Sequence, residues 1–295
     1  MQIIDGRVLA EKIKDKIVKE ITDGRQGLNL VNCPRPNLAI VLVGNRADSE
    51  LYVSLKEKEA KKCGIDTHLY RCGEDVSENE LLDLIDYLNK DDLIDAILLQ
   101  MPLPENLDTD KIIRAIDPAK DVDGFHPDNI NIILNYCEYT CPPELQRRRV
   151  LPPVFDAVWE ILKSIKYDLS GEQVCLVSNS DIFGKSLAKA LECRGARVEV
   201  ASAADSDLDE KTKRANLLIT AVGKPRLIKR EMVKDGAVVI DIGIIKEGDK
   251  ISGDVDFANV ADKTSFITPV PGGIGPLTIA CALRNTLEFY KRRHK

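Results

Sequence analysis

Two hydrophobic rhythms alternate along this chain. Continuous apolar runs at LAIVLVG (38–44), DAILLQ (95–100), QVCLV (173–177), ANLLITAVG (215–223) and AVVIDIG (237–243) are short and lack polar alternation. Runs of that kind are strands covered on both faces. Between them apolar residues recur every three or four positions, predicting helices over the opening MQIIDGRVLAEKIKDKIVKEI, over LYVSLKEKEAKKC (51–63), over ENELLDLIDYLNK (78–90), over about 182–194, and from Thr278 onward in TIACALRNTLEFYKRRHK. Shorter strands are expected at THLYRC (67–72) and at 197–201. Strand and helix in alternation predict an α/β protein with parallel sheets.

Two stretches interrupt the pattern. TDGRQGLNLVNCPRPN (22–37) is a polar break after the first helix, and NINIILNYCEYTCPPELQRRRV (129–150), with paired prolines and weak periodicity, reads as a domain connection. Arg147 to Arg149 read there as a solvated linker, because no aromatic residue interleaves them. A chain of 295 residues exceeds one average core, so two domains are expected.

Charge and cysteine usage narrow the class. With 42 basic and 48 acidic residues the net charge is −6, which gives no electrostatic case for nucleic acid. No run approaches ~18 consecutive apolar residues, as a membrane span needs. The opening helix is charged throughout, unlike a signal peptide. A cytoplasmic protein is expected. Of the eight cysteines the only close pair is Cys137 and Cys141, and with three histidines in the chain no metal site is expected. The thiols read as reduced and structural.

Ligands of parallel sheets bind at the carboxyl ends of the strands. Gly44, Gln100 and the start of the 51–63 helix all fall at such ends. On that helix Tyr52 and Lys56, four residues apart, leave the same face. A flat substrate can lie on the ring beside the amine. Lysine acts as a base only where desolvation or a nearby cation favours its neutral form; otherwise Lys56 is one more charge beside Lys58, Lys61 and Lys62. In the second half, strand, turn, helix and strand over 173–201 open a dinucleotide fold. Its turn, SNSDIFG, keeps only Gly184 where phosphate-binding loops use several glycines. TPVPGGIGPLT (268–278), with three prolines and three glycines, is a stiff loop whose backbone can approach a ligand.

VGNRADSELYVSLKEK, LLQMPLP, DPAKDVDGFHP, GDVDF and TPVPGGIGPLT, in that order, resemble the bifunctional methylenetetrahydrofolate dehydrogenase/methenyltetrahydrofolate cyclohydrolase family, from about residue 2 to 290. The resemblance implies two three-layer α/β domains with a cleft between them, the second a Rossmann-like parallel sheet. Residues 1–145 plus the C-terminal helix 278–295 would form the folate-binding catalytic domain, and 146–277 the dinucleotide-binding domain. It also implies a homodimer formed through the second domain, no metal, and a tetrahydrofolate derivative as substrate with NADP or NAD as cofactor. Tyr52 would stack on the folate, Lys56 would position or deprotonate water, Gln100 would hydrogen-bond Lys56, and Asp123 would accept hydrogen bonds from the pterin, with Asp121 the alternative. Ser49, Leu99, Met101, Pro271, Gly272 and Gly273 would line the substrate. Ser178, Asn179, Ser180, Gly184, Asp205 and Ile244 would meet the cofactor.

This chain departs from the family on the cofactor side. Pro152-Pro153-Val154-Phe155 stands for the usual Pro-Cys-Thr-Pro, Ser178-Asn179-Ser180 for Gly-Arg-Ser, and Ser202-Ala203-Ala204-Asp205 for a His-Ser-Lys-Thr type segment. The arginine suited to a 2′-phosphate is lost, and Asp205 could take a ribose hydroxyl instead. Three readings follow: the full bifunctional enzyme, a cyclohydrolase with weak or lost dehydrogenase activity, and a non-catalytic folate-binding relative.

Overall fold

The computed structural model describes residues 1–27, 35–248 and 250–294. In chain order the main elements are β1 (Gln2–Ile3), α1 (Gly6–Gly27), β2 (Asn37–Val43), α2 (Ala47–Cys63), β3 (Asp66–Cys72), α3 (Glu78–Lys90), β4 (Ala96–Leu99), α4 (Thr109–Ala115), α5 (Pro127–Asn135), α6 (Pro143–Arg148) and α7 (Pro153–Ser164). There follow β5 (Gln173–Ser178), α8 (Asp181–Glu192), β6 (Arg197–Ala201), α9 (Leu208–Arg214), β7 (Leu217–Ala221), β8 (Val238–Asp241), β9 (Ile245–Glu247), β10 (Lys250–Ser252), α10 (Phe257–Val260), β11 (Phe266–Ile267) and α11 (Ile274–Arg293). The chain forms two compact units, one of Met1–Leu9, Ile132–Gln146 and Val154–Thr278, the other of Ala10–Asn131, Arg147–Pro153 and Ile279–Lys295.

The unit containing Ala10–Asn131 is built on a parallel sheet of order β3-β2-β4. Every residue from Leu38 to Val43 is at most 2% exposed, so β2 is covered on both faces, as its unbroken apolar run required. Ala39, Val41 and Val43 pack on Leu81, Ile85 and Leu88 of α3. That helix begins with a capping box between Ser77 and Glu80. At its other end Lys120 Nζ donates to the carbonyls of Leu88 (2.9 Å) and Asp91 (2.8 Å). A buried lysine there satisfies the end of α3 and pins the 117–124 loop. The loop then runs beside β4, with Ile97 N–H donating to Lys120 O at 2.7 Å and Val122 N–H to Ile97 O at 3.2 Å.

The other unit holds a six-stranded, all-parallel sheet of order β1-β11-β8-β7-β5-β6. From β5 the chain first adds β6 on one side and then β7 on the other. The topological switch point therefore lies between β5 and β7, where ligands of open α/β sheets bind. Cys175, Val177, Leu218 and Val239 fill one face of this sheet with Leu208, Ile228 and Val260.

Several expectations are corrected at this level. The chain opens with β1, and helix begins only at Gly6, because Gln2 and Ile3 pair in parallel with Phe266 and Ile267. That pairing draws Met1–Leu9 into the six-stranded unit, and Ile132–Gln146 joins it too, so the division falls elsewhere than at 145/146. The stretch from Thr22 is helical through Gly27; residues 28–34, with Cys33, lie outside the described residues, and Asn37 already opens β2. The last helix starts at Ile274, inside the proline and glycine run. Arg147 and Arg148 close the short helix α6 and line a cavity of about 680 Å³ with Lys291, Arg292 and Arg293. The thiols are not all reduced: Cys137 and Cys193, 56 residues apart, form a disulfide, while Cys63, Cys72, Cys141, Cys175 and Cys281 are free. Beside it Arg194 pairs with Glu138 at 3.0 Å and lies 4.1 Å from the Trp159 ring centre.

Candidate functional site

Two segments at the carboxyl edge of the three-stranded sheet, and the helix that follows β2, bring the site together. Gln100 directly follows β4 and is held by its N–H bond to Val41 O at 2.9 Å. Its side-chain Nε2 donates to Met101 O at 2.6 Å, which turns the amide oxygen outward. Lys56 Nζ donates to that oxygen at 2.9 Å. Burial pushes the Lys56 ammonium below the ordinary lysine range, and the Asp123 charge opposes the shift. Burial in turn lifts the Asp123 carboxyl to about 6, with the Lys56 charge opposing and the Asp121 charge adding. The two groups sense each other and titrate as a coupled pair.

The choice between the two aspartates of KDVDG follows from their partners. Asp121 is 3% exposed and accepts from Gly124 N–H (3.0 Å), His126 N–H (2.8 Å) and Asn129 Nδ2 (3.1 Å). It is the brace of the loop. Among the described residues no group donates to the Asp123 carboxylate, which stays open for a ligand. Gly124 adopts φ +69°, and a Cβ there would stand 3.0 Å from Pro152 N, so the turn after Asp123 needs glycine. One contributor escaped the sequence reading. Asn285, on α11, donates its Nδ2 to Val122 O (3.1 Å) and to Leu151 O (3.0 Å), fixing the backbone next to Asp123. Its only signal in the sequence is a polar residue inside the apolar stripe of the last helix.

The remaining predicted substrate residues fall in two groups. Tyr52 is half-buried, with burial, then the Asp48 charge, raising its phenol above the ordinary range. Ser49, 3% exposed, has a buried hydroxyl without a hydrogen-bond partner, a donor and acceptor left for a ligand or water. Leu99 is buried and Met101 is 40% exposed. Pro271, Gly272 and Gly273 belong to the other unit, where Gly6 N–H donates to Gly272 O at 2.9 Å.

At the switch point of the six-stranded sheet the cofactor candidates also take definite roles. Ser178 Oγ accepts from Ser180 N–H at 3.1 Å, and Ser180 caps α8 by accepting from Phe183 N–H at 3.4 Å. Asn179 Oδ1 accepts from Ser202 Oγ (3.4 Å) and Ala203 N–H (3.3 Å), tying the β5–α8 turn to the end of β6. Gly184 is the packing glycine: a Cβ on it would stand 3.1 Å from Val200 Cγ1. Asp205 is ion-paired to Lys211 at 2.8 Å and accepts from Ser202 N–H at 3.2 Å. The Lys211 hydrogen bond holds its carboxyl below the ordinary range. Ile244 is 40% exposed. Among the described residues no three His, Cys, Asp or Glu side chains are grouped as a metal site needs.

Family comparison decides what this pair of sites is. Residues 4–123 match the catalytic domain of tetrahydrofolate dehydrogenase/cyclohydrolase, and residues 152–294 match the NAD(P)-binding domain of the same family. The chain belongs to the tetrahydrofolate dehydrogenase/cyclohydrolase family. Within this family the Bifunctional protein FolD of Nitratiruptor sp. is 43% identical over 295 residues, covering 100% of both chains. The crystal structure of the bifunctional FolD methylenetetrahydrofolate dehydrogenase/cyclohydrolase from Campylobacter jejuni has a TM-score of 0.89 at 38% identity, covering 99% of each chain. A FolD structure from Trypanosoma brucei, complexed with NADP cofactor and an inhibitor, has a TM-score of 0.90 at 30% identity, over 99% of this chain and 98% of that one.

Proposed function

We propose that this family member oxidises 5,10-methylenetetrahydrofolate to the methenyl compound with a nicotinamide dinucleotide, then hydrolyses the methenyl bridge to 10-formyltetrahydrofolate. The observation that carries the hydrolytic half is the Lys56–Gln100 hydrogen bond at 2.9 Å beside an open Asp123. Asp123, ionised, accepts N–H groups of the pterin, and Tyr52 lies against its flat face. The methenyl bridge is cationic, so substrate binding adds to the burial that favours neutral Lys56. With Gln100 accepting one N–H, the amine lone pair is free to take a proton from water as its oxygen adds to the bridge carbon. The bridge C–N5 bond then breaks as the added hydroxyl becomes the formyl carbonyl and releases its proton to solvent, and Lys56 returns the first proton to N5. Arginine, permanently charged, could not take this part. Ser49 is the remaining buried hydroxyl for substrate or that water.

For the oxidative half, the residues at the switch point fit a dinucleotide. Ser178, Asn179 and Ser180 surround the start of the 12-residue helix α8, a neutral donor set suited to a pyrophosphate. A dinucleotide held there would supply the hydride acceptor for the methylene carbon. The segment Ser178-Asn179-Ser180 carries no arginine, and Asp205, ion-paired to Lys211, follows β6 with a carboxylate that could accept a ribose hydroxyl. This favours NAD over NADP. A homodimer is supported by β6, an edge strand whose Val200 is 43% exposed. No described helix is long and apolar enough to cross a membrane, which agrees with a cytoplasmic place of action.

The test is to follow methylenetetrahydrofolate oxidation with NAD and with NADP, and methenyl hydrolysis without nucleotide. Both activities are expected, NAD giving the lower KM. Absence of hydrolysis would refute the assignment of Lys56, and NADP turnover with the lower KM would refute the reading of Asp205.

A further inference from the structure

Two buried carboxylates lie at the carboxyl ends of β7 and β8, outside every role assigned above. Asp254, fully buried, accepts from Thr220 Oγ (2.9 Å), Val222 N–H (2.8 Å) and Lys224 N–H (2.9 Å). Asp241, 3% exposed, accepts from Gly243 N–H (2.9 Å), Asp254 N–H (3.1 Å) and Val255 N–H (2.9 Å). The arrangement is reciprocal. A Cβ on Gly243 would stand 2.3 Å from the Asp254 carboxylate, and one on Gly253 would stand 2.0 Å from the Asp241 carboxylate. Each aspartate therefore sits on the glycine beside the other, an arrangement only glycine permits at both places. The sequence writes it as Asp241-Ile242-Gly243 and Gly253-Asp254.

What this device holds is the loop at 222–224, which leaves β7 at the switch point, together with the 242–244 turn after β8. Gly223 in that loop has φ +69° and open space around it, so the loop owes its course to the carboxylate bonds at Val222 and Lys224. A buried carboxylate bound by several backbone N–H groups is a stronger anchor than neutral turns provide. A dinucleotide at the switch point meets the ends of β5 and β7.

We propose that Asp241 and Asp254 are positioning residues for the dinucleotide, shaping the 222–224 wall of its site without touching it. This rests on the dinucleotide reading above. Around Asp241 stand the Asp254 carboxylate, the three backbone N–H groups and the Thr268 hydroxyl, whose oxygen accepts the Asp241 backbone N–H at 2.8 Å. Burial, with the Asp254 charge adding and the N–H bonds opposing, lifts the Asp241 carboxyl to about 7. Ionisation strengthens the N–H bonds that shape the wall while the buried charge costs the fold stability, so the wall's geometry and the stability of its sheet respond to pH in opposite senses.

The two activities of one chain supply the control. Asp254→Asn places an amide N–H against backbone donors, and losing a charged hydrogen bond of this kind is expected to raise the dinucleotide KM roughly 10- to 100-fold. Methenyl hydrolysis measured without nucleotide should stay within about twofold, since Lys56, Gln100 and Asp123 lie in the other unit and share no partner with Asp254. Thr220→Val, which leaves the backbone bonds in place, should give a smaller rise. In the wild type the dinucleotide KM should climb as pH falls through about 7, and Asp241→Asn should lose that dependence. Unchanged KM in Thr220→Val together with a wild-type pH profile retained in Asp241→Asn overturns the proposal while leaving the dinucleotide reading intact, even if Asp254→Asn fails to fold. A wild type that turns over no dinucleotide, yet hydrolyses the methenyl substrate, overturns both.

Discussion

Lys56 shows how one residue acquires chemistry from its neighbours. Alone on α2 it would be an ordinary cation; Gln100 bonded to it and burial lowering its proton affinity suit it to the role of base proposed above. Replacing it by methionine keeps the length and the apolar stem while removing the amine. Lys56→Met should lower methenyl hydrolysis by about 100-fold or more, the usual contribution of a general base, with folate binding retained by fluorescence titration. The pH profile should follow. Ionised Asp123 offers both oxygens as strong acceptors and Lys56 serves only when neutral, so kcat/KM for hydrolysis should rise with pH through about 6. Asp123→Asn should abolish that limb. At this scale the sequence was informative where position at a strand end determined a contact: the hydrogen bond expected between Gln100 and Lys56 is present. It favoured Asp123 over Asp121 only through the resemblance, because both stand in the same short motif and only the loop's path tells that its own N–H groups are consumed by Asp121.

Elements were legible where their apolar pattern was long. α3 spans the predicted 78–90 and β6 the predicted 197–201. The two-residue strands β1 and β11 were not, since such short pairs carry no periodicity and exist only through their partners. Asn285 was hidden for a similar reason: a mid-helix amide gains its meaning from carbonyls far along the chain. Asn285→Ala leaves Val122 O and Leu151 O without that donor, which should cost about 1–3 kcal/mol of stability and raise the folate KM, measured by thermal denaturation and by hydrolysis kinetics. The Asp241 carboxyl makes a separate prediction for its sheet. Its pKa in the fold, about 7, is above the value of a free aspartate, so its stabilising contribution is complete at low pH and is lost as pH rises through about 7. The melting temperature of wild type relative to Asp241→Asn should accordingly fall over that interval.

For the whole molecule, the disulfide was the feature furthest from what spacing could reveal. Cys141 is four residues from Cys137, but the bond is made to Cys193, brought close by the folding of 132–146 onto the six-stranded unit. Closing a loop of that size should stabilise this unit by roughly 3–4 kcal/mol. Reduction with a thiol should lower its melting temperature, with nucleotide-free hydrolysis at room temperature unchanged, because Lys56, Gln100 and Asp123 all lie in the other unit.

The chain passes between its two units after residues 9, 131, 146, 153 and 278. The ribosome therefore completes every part of the dinucleotide-binding unit before it makes Ile279–Lys295, the segment that brings Asn285 to the catalytic loop. During synthesis the sequence of the six-stranded unit is complete while the unit carrying Lys56 still lacks Ile279–Lys295. Activity of the Lys56 site thus reports that translation has passed α11.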